Sequence, residues 1–316
     1  MKRFLSCLLA VLLISVLCVV SVGARIGDDY KCYGDVYIDE EADIRLDAEM
    51  ESVYSKASAW EIKYVHNGTS DEVITSEMNG STMNWWRFNG LKRGDVVPEG
   101  IATGTGYMVY DGEYLWLFVD IIDDDLTTAA PNALESSFRQ DSVEFMMDWT
   151  NDAEDNGAAI YQARMTHEGY ISGREGSAST GAPALFGSID DGGSNPVTWL
   201  KGDAKHTDKG WCCEFRIDVN YDLFDAEEGA LSMALCINDY DLALEPTLGS
   251  RVMVCADNVR GSADWLGSQY GYINFDLLNH QPSTGDMTIV YIAIAMVLAL
   301  GLAAGTVVAM KKRSAK

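Results

Sequence analysis

The sequence predicts an all-β protein whose main part is a single antiparallel β-sandwich of the immunoglobulin or jelly-roll type. Three observations support this prediction. Short runs alternate apolar and polar residues with the period of a strand, turn signals such as Asp111-Gly112 separate them, and sustained helical periodicity is nearly absent. About ten such strands lie between residues 25 and 279, without a repeat or an internal break. A two-layer sandwich is typical of this pattern.

The two ends of the chain carry targeting signals. A basic start and a long uncharged run lead to Val22-Gly23-Ala24, which predicts a signal peptide over residues 1–24. An uncleaved anchor is the alternative. Residues 288–310 carry no charge and precede three basic residues, which predicts a transmembrane helix followed by a cytoplasmic tail over residues 311–316. The domain over residues 25–279 is therefore expected outside the cell, held at its surface.

The charge balance narrows the class of partner. The chain has 48 acidic and 23 basic side chains and a formal net charge of −25. Nucleic acid is therefore a poor partner, whereas neutral ligands and calcium suit an acidic domain. Solubility is the alternative explanation of the charge.

The cysteines beyond the signal segment indicate neither a disulfide scaffold nor a zinc site. They are five, an odd number, and none forms a C-x-x-C pair. Four of them lie in apolar, strand-like runs, where cysteine usually acts as a small buried hydrophobe. The five are Cys32, Cys212, Cys213, Cys236 and Cys255.

Residues 113–120 predict a central strand, because they are apolar on both faces and both faces must be covered. Asp123-Asp124-Asp125 follows as a cluster of carboxylates. Asp123 and Asp124 are candidate ligands of a structural calcium ion, and an acidic turn without metal is the alternative.

Residues 141–149 predict a strand with one core face and one outward face. Val143 and Phe145 belong to the apolar face, and Glu144 falls on the other side, where a ligand could reach it. Residues 160–169 predict the next strand. A hairpin between the two strands places Arg164 beside Glu144. A solvated cross-strand ion pair without a ligand is the alternative.

The tryptophans divide into two groups. Trp116, Trp149 and Trp211 have apolar strand neighbours, which predicts that they pack in the core. Trp85-Trp86 lies in a polar segment and is interpreted as a loop plug, with a stacking platform for a ligand as the alternative.

Several short segments occur in the order found in a known family. They are Leu46-Asp47-Ala48-Glu49, residues 110–116, Asp123-Asp124, residues 138–145, Gln162-Ala163-Arg164, residues 210–214 and Ile237-Asn238-Asp239. Together they span most of residues 25–279, and the chain resembles carbohydrate-binding module family 9. The resemblance implies a non-catalytic β-sandwich that binds a polysaccharide or oligosaccharide of plant type.

The resemblance also implies a set of binding residues. In sugar-binding members two aromatic rings enclose a terminal sugar, and Phe138 and Trp265 match their positions, with Phe138 standing where those members carry tryptophan. Glu144 and Arg164 match the polar contacts. Aromatic rings stack on the apolar face of a sugar, and fixed charged groups bond its hydroxyls.

The linker over residues 280–287 resembles a sortase sorting signal of the LPxTG type, with Gln281 in place of the usual leucine. The resemblance implies that a sortase cuts between Thr284 and Gly285 and links the domain to the cell wall. A domain retained through the membrane helix is the alternative.

Other functions remain open. Similar, DOMON-like sandwiches hold haem b for electron transfer, and Met165 and His167 are the candidate ligands. A glycosidase would need two facing carboxyl groups, but Asp141 and Glu144 point to opposite sides of one strand. The sandwich could also serve only adhesion or display.

Overall fold

The structure is a computed structural model, and it describes residues 31–67, 71–78, 85–127, 140–150, 160–175, 184–186, 199–224, 226, 229–241, 251–257 and 271–277. The chain divides into two compact units, Met1–Leu278 and Asn279–Lys316, and every described residue lies in the first. Within the described ranges, no helix has the length and apolar character needed to cross a bilayer. The predicted signal peptide, linker, transmembrane segment and basic tail lie outside these ranges and stay predictions.

The described ranges contain fifteen strands and two short 3-10 helices, so the all-β class is confirmed. The strands are β1 (Cys32–Asp35), β2 (Tyr37–Ile38), β3 (Trp60–Ile62), β4 (Tyr64–Val65), β5 (Thr103–Tyr110), β6 (Tyr114–Ile122), β7 (Ser142–Asp148), β8 (Ile160–Thr166), β9 (Ile171–Glu175), β10 (Ala184–Phe186), β11 (Leu200–Thr207), β12 (Gly210–Asp218), β13 (Ala230–Tyr240), β14 (Arg251–Cys255) and β15 (Gly271–Asn274). The helices span Tyr54–Lys56 and Trp85–Phe88. The prediction of about ten strands was too low, because strands of two to four residues are too short to display a period.

The strands form two sheets. Sheet A has the order β1-β15-β13-β7-β8-β9-β10, and β14 joins β13 to β4; sheet B has the order β11-β12-β6-β5-β2, with β3 also on β5. The pairs β1–β15 and β2–β5 are parallel, and the other pairs are antiparallel. The prediction of an antiparallel sandwich is therefore wrong for two N-terminal strands. Strand β1 is parallel to β15 in sheet A, and β2 is parallel to β5 in sheet B.

The main core lies between the sheets and is built from alternate residues of the long strands. Phe145 of β7 meets Phe215 of β12 edge to face, with ring centroids 5.1 Å apart. Trp149 and Trp211 are buried in the same core, as predicted. Burial of this apolar surface is the main source of the stability of the domain.

Strand β6 is covered on both faces, as its sequence predicts. It lies between β5 and β12. Its Leu117 faces the main core, whereas Trp116 and Phe118 pack on the other side against a segment that includes Tyr54. The Tyr54 hydroxyl donates a 2.5 Å hydrogen bond to Glu214 Oε1, and this bond ties the covering segment to β12.

Candidate functional site

Four residues from four neighbouring strands form one line across sheet A. Arg164 of β8 lies opposite Glu144 of β7, Glu144 opposite Cys236 of β13, and Cys236 opposite Cys255 of β14. We call these four residues the cross-strand row. Directly opposite residues of antiparallel strands point to the same face. Since Phe145 points into the main core, the row lies on the other face of sheet A.

The predicted contact between Glu144 and Arg164 is confirmed. Arg164 Nη2 lies 2.8 Å from Glu144 Oε2, and Arg164 Nε donates a 2.9 Å hydrogen bond to the same oxygen. The hairpin of β7 and β8 sets this distance, because its register places the two residues directly opposite. The ion pair is therefore built into the backbone pairing.

Glu144 lies on the face away from the main core, as predicted, but it is buried, so the alternative of a solvated ion pair is wrong. Its exposed fraction is 2%, and the Arg164 side chain is 13% exposed. The face is covered because it carries an apolar cluster of its own beside the ion pair. This outer cluster comprises Met146, Ala234, Cys236, Met253 and Cys255, and Trp85 packs against it. The interpretation of the Trp85 segment as a loop plug fits this packing.

Neutral amide groups complete the surroundings of the Glu144 carboxylate. Gln162 Nε2 donates a hydrogen bond to Glu144 Oε1. Asn238 Nδ2 donates 3.0 Å and 3.1 Å hydrogen bonds to Glu144 Oε2 and to Ser142 Oγ. Asn238 Oδ1 is buried and has no hydrogen-bond partner among the described residues. The carboxylate is thus held in one position by hydrogen bonds, and Asn238 Oδ1 beside it accepts no hydrogen bond from the described residues.

The charge on Glu144 is fixed by its neighbours. Burial opposes its ionisation most strongly, but the cations of Arg164 and Arg251, with the hydrogen bonds from Asn238 and Arg164, outweigh burial and lower the pKa of Glu144. Glu144 is therefore ionised at neutral pH.

His66 adds a neutral ring to the same face. Its ring stacks on Trp85 with centroids 6.0 Å apart. Burial, and then the charge of Arg251, lowers the pKa of His66 to about 3. The imidazole is therefore uncharged at neutral pH.

Sequence reasoning named two members of this polar group and missed the others. Gln162 stands two positions before Arg164, on the same face of β8, and that spacing is a signal that predicts it. Asn238 belongs to the segment Ile237-Asn238-Asp239, which contributes to the family resemblance. Nothing in that segment predicts a contact between Asn238 and Glu144. His66 and Arg251 carried no local signal, because the pairing of β4 with β14 brings His66 to this face and the pairing of β14 with β13 brings Arg251 there.

The predicted carboxylate cluster forms at the end of β6. One oxygen each of Asp123, Asp124 and Asp125 lies within 4.8 Å of the others. Asp125 N donates a 3.2 Å hydrogen bond to Asp123 Oδ1, whereas the buried Asp123 Oδ2 has no partner among the described residues. Burial, and then repulsion from Asp239, raises the pKa of Asp123 to about 7. These oxygen donors fit a hard cation such as calcium.

Two further carboxylates lie near this cluster, and both are occupied by the protein. Asp141 accepts hydrogen bonds from the backbone N–H groups of Tyr240, at 2.7 Å, and Thr127. Asp239 pairs with Arg87 at 2.9 Å in a buried salt bridge that the sequence did not predict. Burial, and then the charge of Asp123, raises the pKa of Asp141 to about 9. Asp141 therefore acts as a protonated support of the backbone, not as a partner of Glu144.

The two candidate haem ligands are packed against protein groups. Met165 is fully buried in the main core, and its methyl group fills the space above Gly202. His167 Nδ1 lies 3.0 Å from His206 Nε2 across the edge of the sandwich. Neither arrangement favours a haem site.

Four of the predicted site residues lie outside the described residues. They are Phe138 and Trp265 of the aromatic clamp, and Thr284 and Gly285 of the sorting signal. Of the remaining four, the structure brings Glu144 together with Arg164 and Asp123 together with Asp124.

Comparison with known proteins gives one matching family and several solved structures with partial similarity. Residues 80–254, more than half of the chain, match the family described as carbohydrate family 9 binding domain-like. A family 9 carbohydrate-binding module from Caldicellulosiruptor kristjanssonii in complex with cellotriose is 13% identical, with a TM-score of 0.48, over 76% of this chain and 92% of that chain. A second structure of such a module from that organism, in complex with glucose, is 14% identical, with a TM-score of 0.46, over 77% and 95% of the two chains.

A putative carbohydrate-binding protein from Bacteroides uniformis is 8% identical, with a TM-score of 0.41, over 78% of this chain and 99% of that chain. No curated protein sequence matches the chain at a significant level.

Proposed function

The chain belongs to the carbohydrate family 9 binding domain-like family, and from this membership we propose that it is a non-catalytic module that binds a polysaccharide or oligosaccharide. The observation that carries the proposal is the Glu144–Arg164 ion pair, held at 2.8 Å on one face of sheet A. Fixed charged groups of this kind recognise vicinal hydroxyl groups at a small cost in conformational entropy.

The polar group around Glu144 suits an uncharged ligand. The Glu144–Arg164 pair has no net charge, His66 is neutral at physiological pH and Gln162 contributes an amide, while Arg251 adds one positive charge to the group. A polyhydroxylated, neutral molecule offers donors and acceptors of this type.

The aromatic part of the proposed site is Phe138 and Trp265. Support for it comes from the order of the family motifs in the sequence, with Phe138 just before Asp141 and β7. Aromatic rings stack on the apolar face of a sugar ring, and phenylalanine offers a smaller stacking surface than tryptophan. We therefore propose a weaker clamp than one made of two indole rings.

Isothermal titration of the purified protein with soluble cello- and xylo-oligosaccharides, after a glycan array, tests the function. We expect binding to one plant-type glycan, and at least a tenfold loss of affinity in Phe138→Ala, Trp265→Ala and Arg164→Gln. Lys205→Ala, on the exposed strand β11, is the matched control and should bind as the unmodified protein does. Unchanged binding in both aromatic variants would rule out the clamp, and no binding to any glycan would rule out the function.

A structural calcium ion is proposed at Asp123, Asp124 and Asp125. The support is the convergence of three carboxylates together with the unpaired, buried Asp123 Oδ2. Calcium would neutralise the repulsion between these groups and fix the end of β6. Its role would be structural, since the cluster follows β6 of sheet B whereas the cross-strand row lies on sheet A.

Display at the cell surface is also proposed, on the sequence alone. The support is the signal segment over residues 1–24, the uncharged run over residues 288–310 and the sorting-like linker. Cell fractionation with mass spectrometry of both ends of the mature chain tests it. A C-terminus at Thr284 would demonstrate sortase cleavage, an intact basic tail in the membrane fraction would demonstrate membrane retention, and a cytoplasmic chain with its first residues intact would contradict surface display.

A further inference from the structure

Cys236 and Cys255 occupy the position in which an antiparallel sheet brings two side chains closest. They lie directly opposite each other on β13 and β14. The preceding pair, Leu235 and Ala256, is a hydrogen-bonded pair, because Ala256 N donates a 2.9 Å hydrogen bond to Leu235 O. Since the two kinds of pair alternate, Cys236 and Cys255 form a non-hydrogen-bonded pair, for which the Cα–Cα distance is about 4.5 Å.

That geometry suits a covalent bond between the two sulfurs. Disulfides join residues whose Cα atoms are roughly 4.4–6.8 Å apart, and the two side chains must point towards each other. Both cysteines belong to the outer cluster and are buried, with exposed fractions of 0% and 1%. Burial, and then a side-chain hydrogen bond with Cys255, raises the pKa of the Cys236 thiol. Little movement of the backbone is needed to join them.

The other three cysteines are placed differently. Cys32 is exposed. Cys212 donates a 3.1 Å hydrogen bond to Ala48 O on the outer side of sheet B, and Cys213 points from the next position into the main core. Among the described residues, one pair of cysteines thus has the geometry of a disulfide, and the other three of the five do not.

We propose that Cys236 and Cys255 form a disulfide bond in the oxidised protein, joining β14 to β13 beside Glu144. The proposal does not depend on sugar binding.

The bond forms by thiol–disulfide exchange with a disulfide oxidant such as oxidised glutathione or a thiol–disulfide oxidoreductase. The thiolate of one cysteine attacks a sulfur of the oxidant, a mixed disulfide forms, and one thiol of the oxidant leaves. The thiolate of the second cysteine then attacks the sulfur of the first and releases the second thiol of the oxidant. The protein loses two electrons and two protons, and the oxidant gains them. Because both thiols are buried in the folded domain, the exchange takes place while the chain folds.

The disulfide would reinforce one wall of the proposed binding face. Cys236 is the direct neighbour of Glu144 across the strand pair. Strand β14 also holds β4, since Val254 pairs with Val65 and His66 N donates a hydrogen bond to Met253 O. A covalent link from β13 to β14 therefore fixes both the row and β4, the short strand that immediately precedes His66.

The test is peptide mapping of the full chain. The reduced chain is refolded with a mixture of reduced and oxidised glutathione, alkylated in denaturant without reduction, digested and analysed by mass spectrometry. We expect the peptides of Cys236 and Cys255 as one cross-linked species, about 2 Da lighter than the two reduced peptides together and separable by reduction. Cys213 should be recovered in the alkylated form.

Variants exclude a chance cross-link. Cys236→Ser should leave Cys255 alkylated, and Cys213→Ser should leave the cross-link intact. The cross-link in the unmodified chain is the primary result, so the test stands even if the Cys236→Ser variant does not fold. Recovery of both cysteines in alkylated form, a link to a different cysteine, or a metal ion held by both thiols in native mass spectrometry would overturn the proposal.

Discussion

Arg164 lies directly opposite Glu144 on neighbouring strands, and its Nη2 atom is 2.8 Å from Glu144 Oε2 where both side chains are largely buried. A charge in such a position is costly unless its partner is present. The pair is therefore a requirement of the fold at this face as well as the centre of the proposed binding site. Its structural and binding roles have to be separated by experiment.

Removing Arg164 alone should destabilise the domain strongly. Arg164→Met leaves the Glu144 carboxylate buried without its cation, and we expect a loss of about 3–5 kcal/mol in the free energy of unfolding. Urea denaturation followed by tryptophan fluorescence measures it.

The double variant Glu144→Met/Arg164→Met removes both charges and should lose less stability than Arg164→Met does. Lys205→Ala serves as the control, because it removes an exposed ion pair with Glu49 and should change stability little. Equal losses in the single and double variants would contradict a coupled, buried pair.

The sequence predicted the parts of the fold that depend on local patterns. The alternation in β7 and β8 was sufficient to place Glu144 beside Arg164, and the doubly apolar β6 was correctly placed in the middle of its sheet. Period-two alternation identifies which face a residue is on, but not what covers that face. For this reason the sequence did not predict that Glu144 is buried beside the outer cluster and Trp85.

Long-range pairings carried no local signal. The Arg87–Asp239 salt bridge joins residues 152 positions apart, and nothing in either segment identifies the other residue as its partner. The parallel pairing of β1 with β15 likewise brings the start of the domain to its end. Both depend on the register of the whole sandwich, which a short segment cannot encode.

Trp85 should stabilise the face of sheet A that carries the cross-strand row. It packs against both the main core and the outer cluster, and it stacks on His66. Since Trp85 is only partly buried, we expect Trp85→Ala to cost about 2–3 kcal/mol, less than a fully buried tryptophan would. Chemical denaturation measures the loss.

Trp86→Ala is the matched control, because Trp86 is not among the described residues that pack on either cluster. The two variants together distinguish a loop plug from a stacking platform. If the segment were a stacking platform, Trp85→Ala would lose little stability, and either Trp85→Ala or Trp86→Ala would bind sugar more weakly than the unmodified protein.

Stability should fall with rising pH because of Glu214. Burial raises the pKa of Glu214 from 4.5 to about 7, although hydrogen bonds from Tyr54, Asp47 and Ala48 oppose the shift. Below pH 4.5 the carboxyl is protonated in both the folded and the unfolded state. Between pH 4.5 and about 7 the folded state alone keeps the proton, so this contribution to stability declines, by on the order of 3 kcal/mol in total.

Glu214→Gln removes this titration and isolates its effect. The amide oxygen can accept the two backbone hydrogen bonds from Asp47 and Ala48, while the amide nitrogen donates to the Tyr54 hydroxyl. The free energy of unfolding of the variant should therefore fall less than that of the unmodified protein between pH 4.5 and 7. Glu61→Gln, at an exposed position, should follow the unmodified protein, and parallel pH profiles for all three proteins would contradict the assignment.

Calcium should stabilise the domain through the carboxylates at the end of β6. An ion that binds only the folded state raises the free energy of unfolding by about 2.7 kcal/mol when its free concentration is about 100 times Kd. We expect the Tm of the unmodified protein to rise with added calcium and to fall again with a chelator. Asp123→Asn should abolish the response, because it removes the charge of the carboxyl group whose Oδ2 is buried and unpaired. Asp208→Asn, in the exposed turn between β11 and β12, is the control and should keep the response. If calcium raised the Tm of Asp123→Asn as much as that of the unmodified protein, the ion would bind elsewhere.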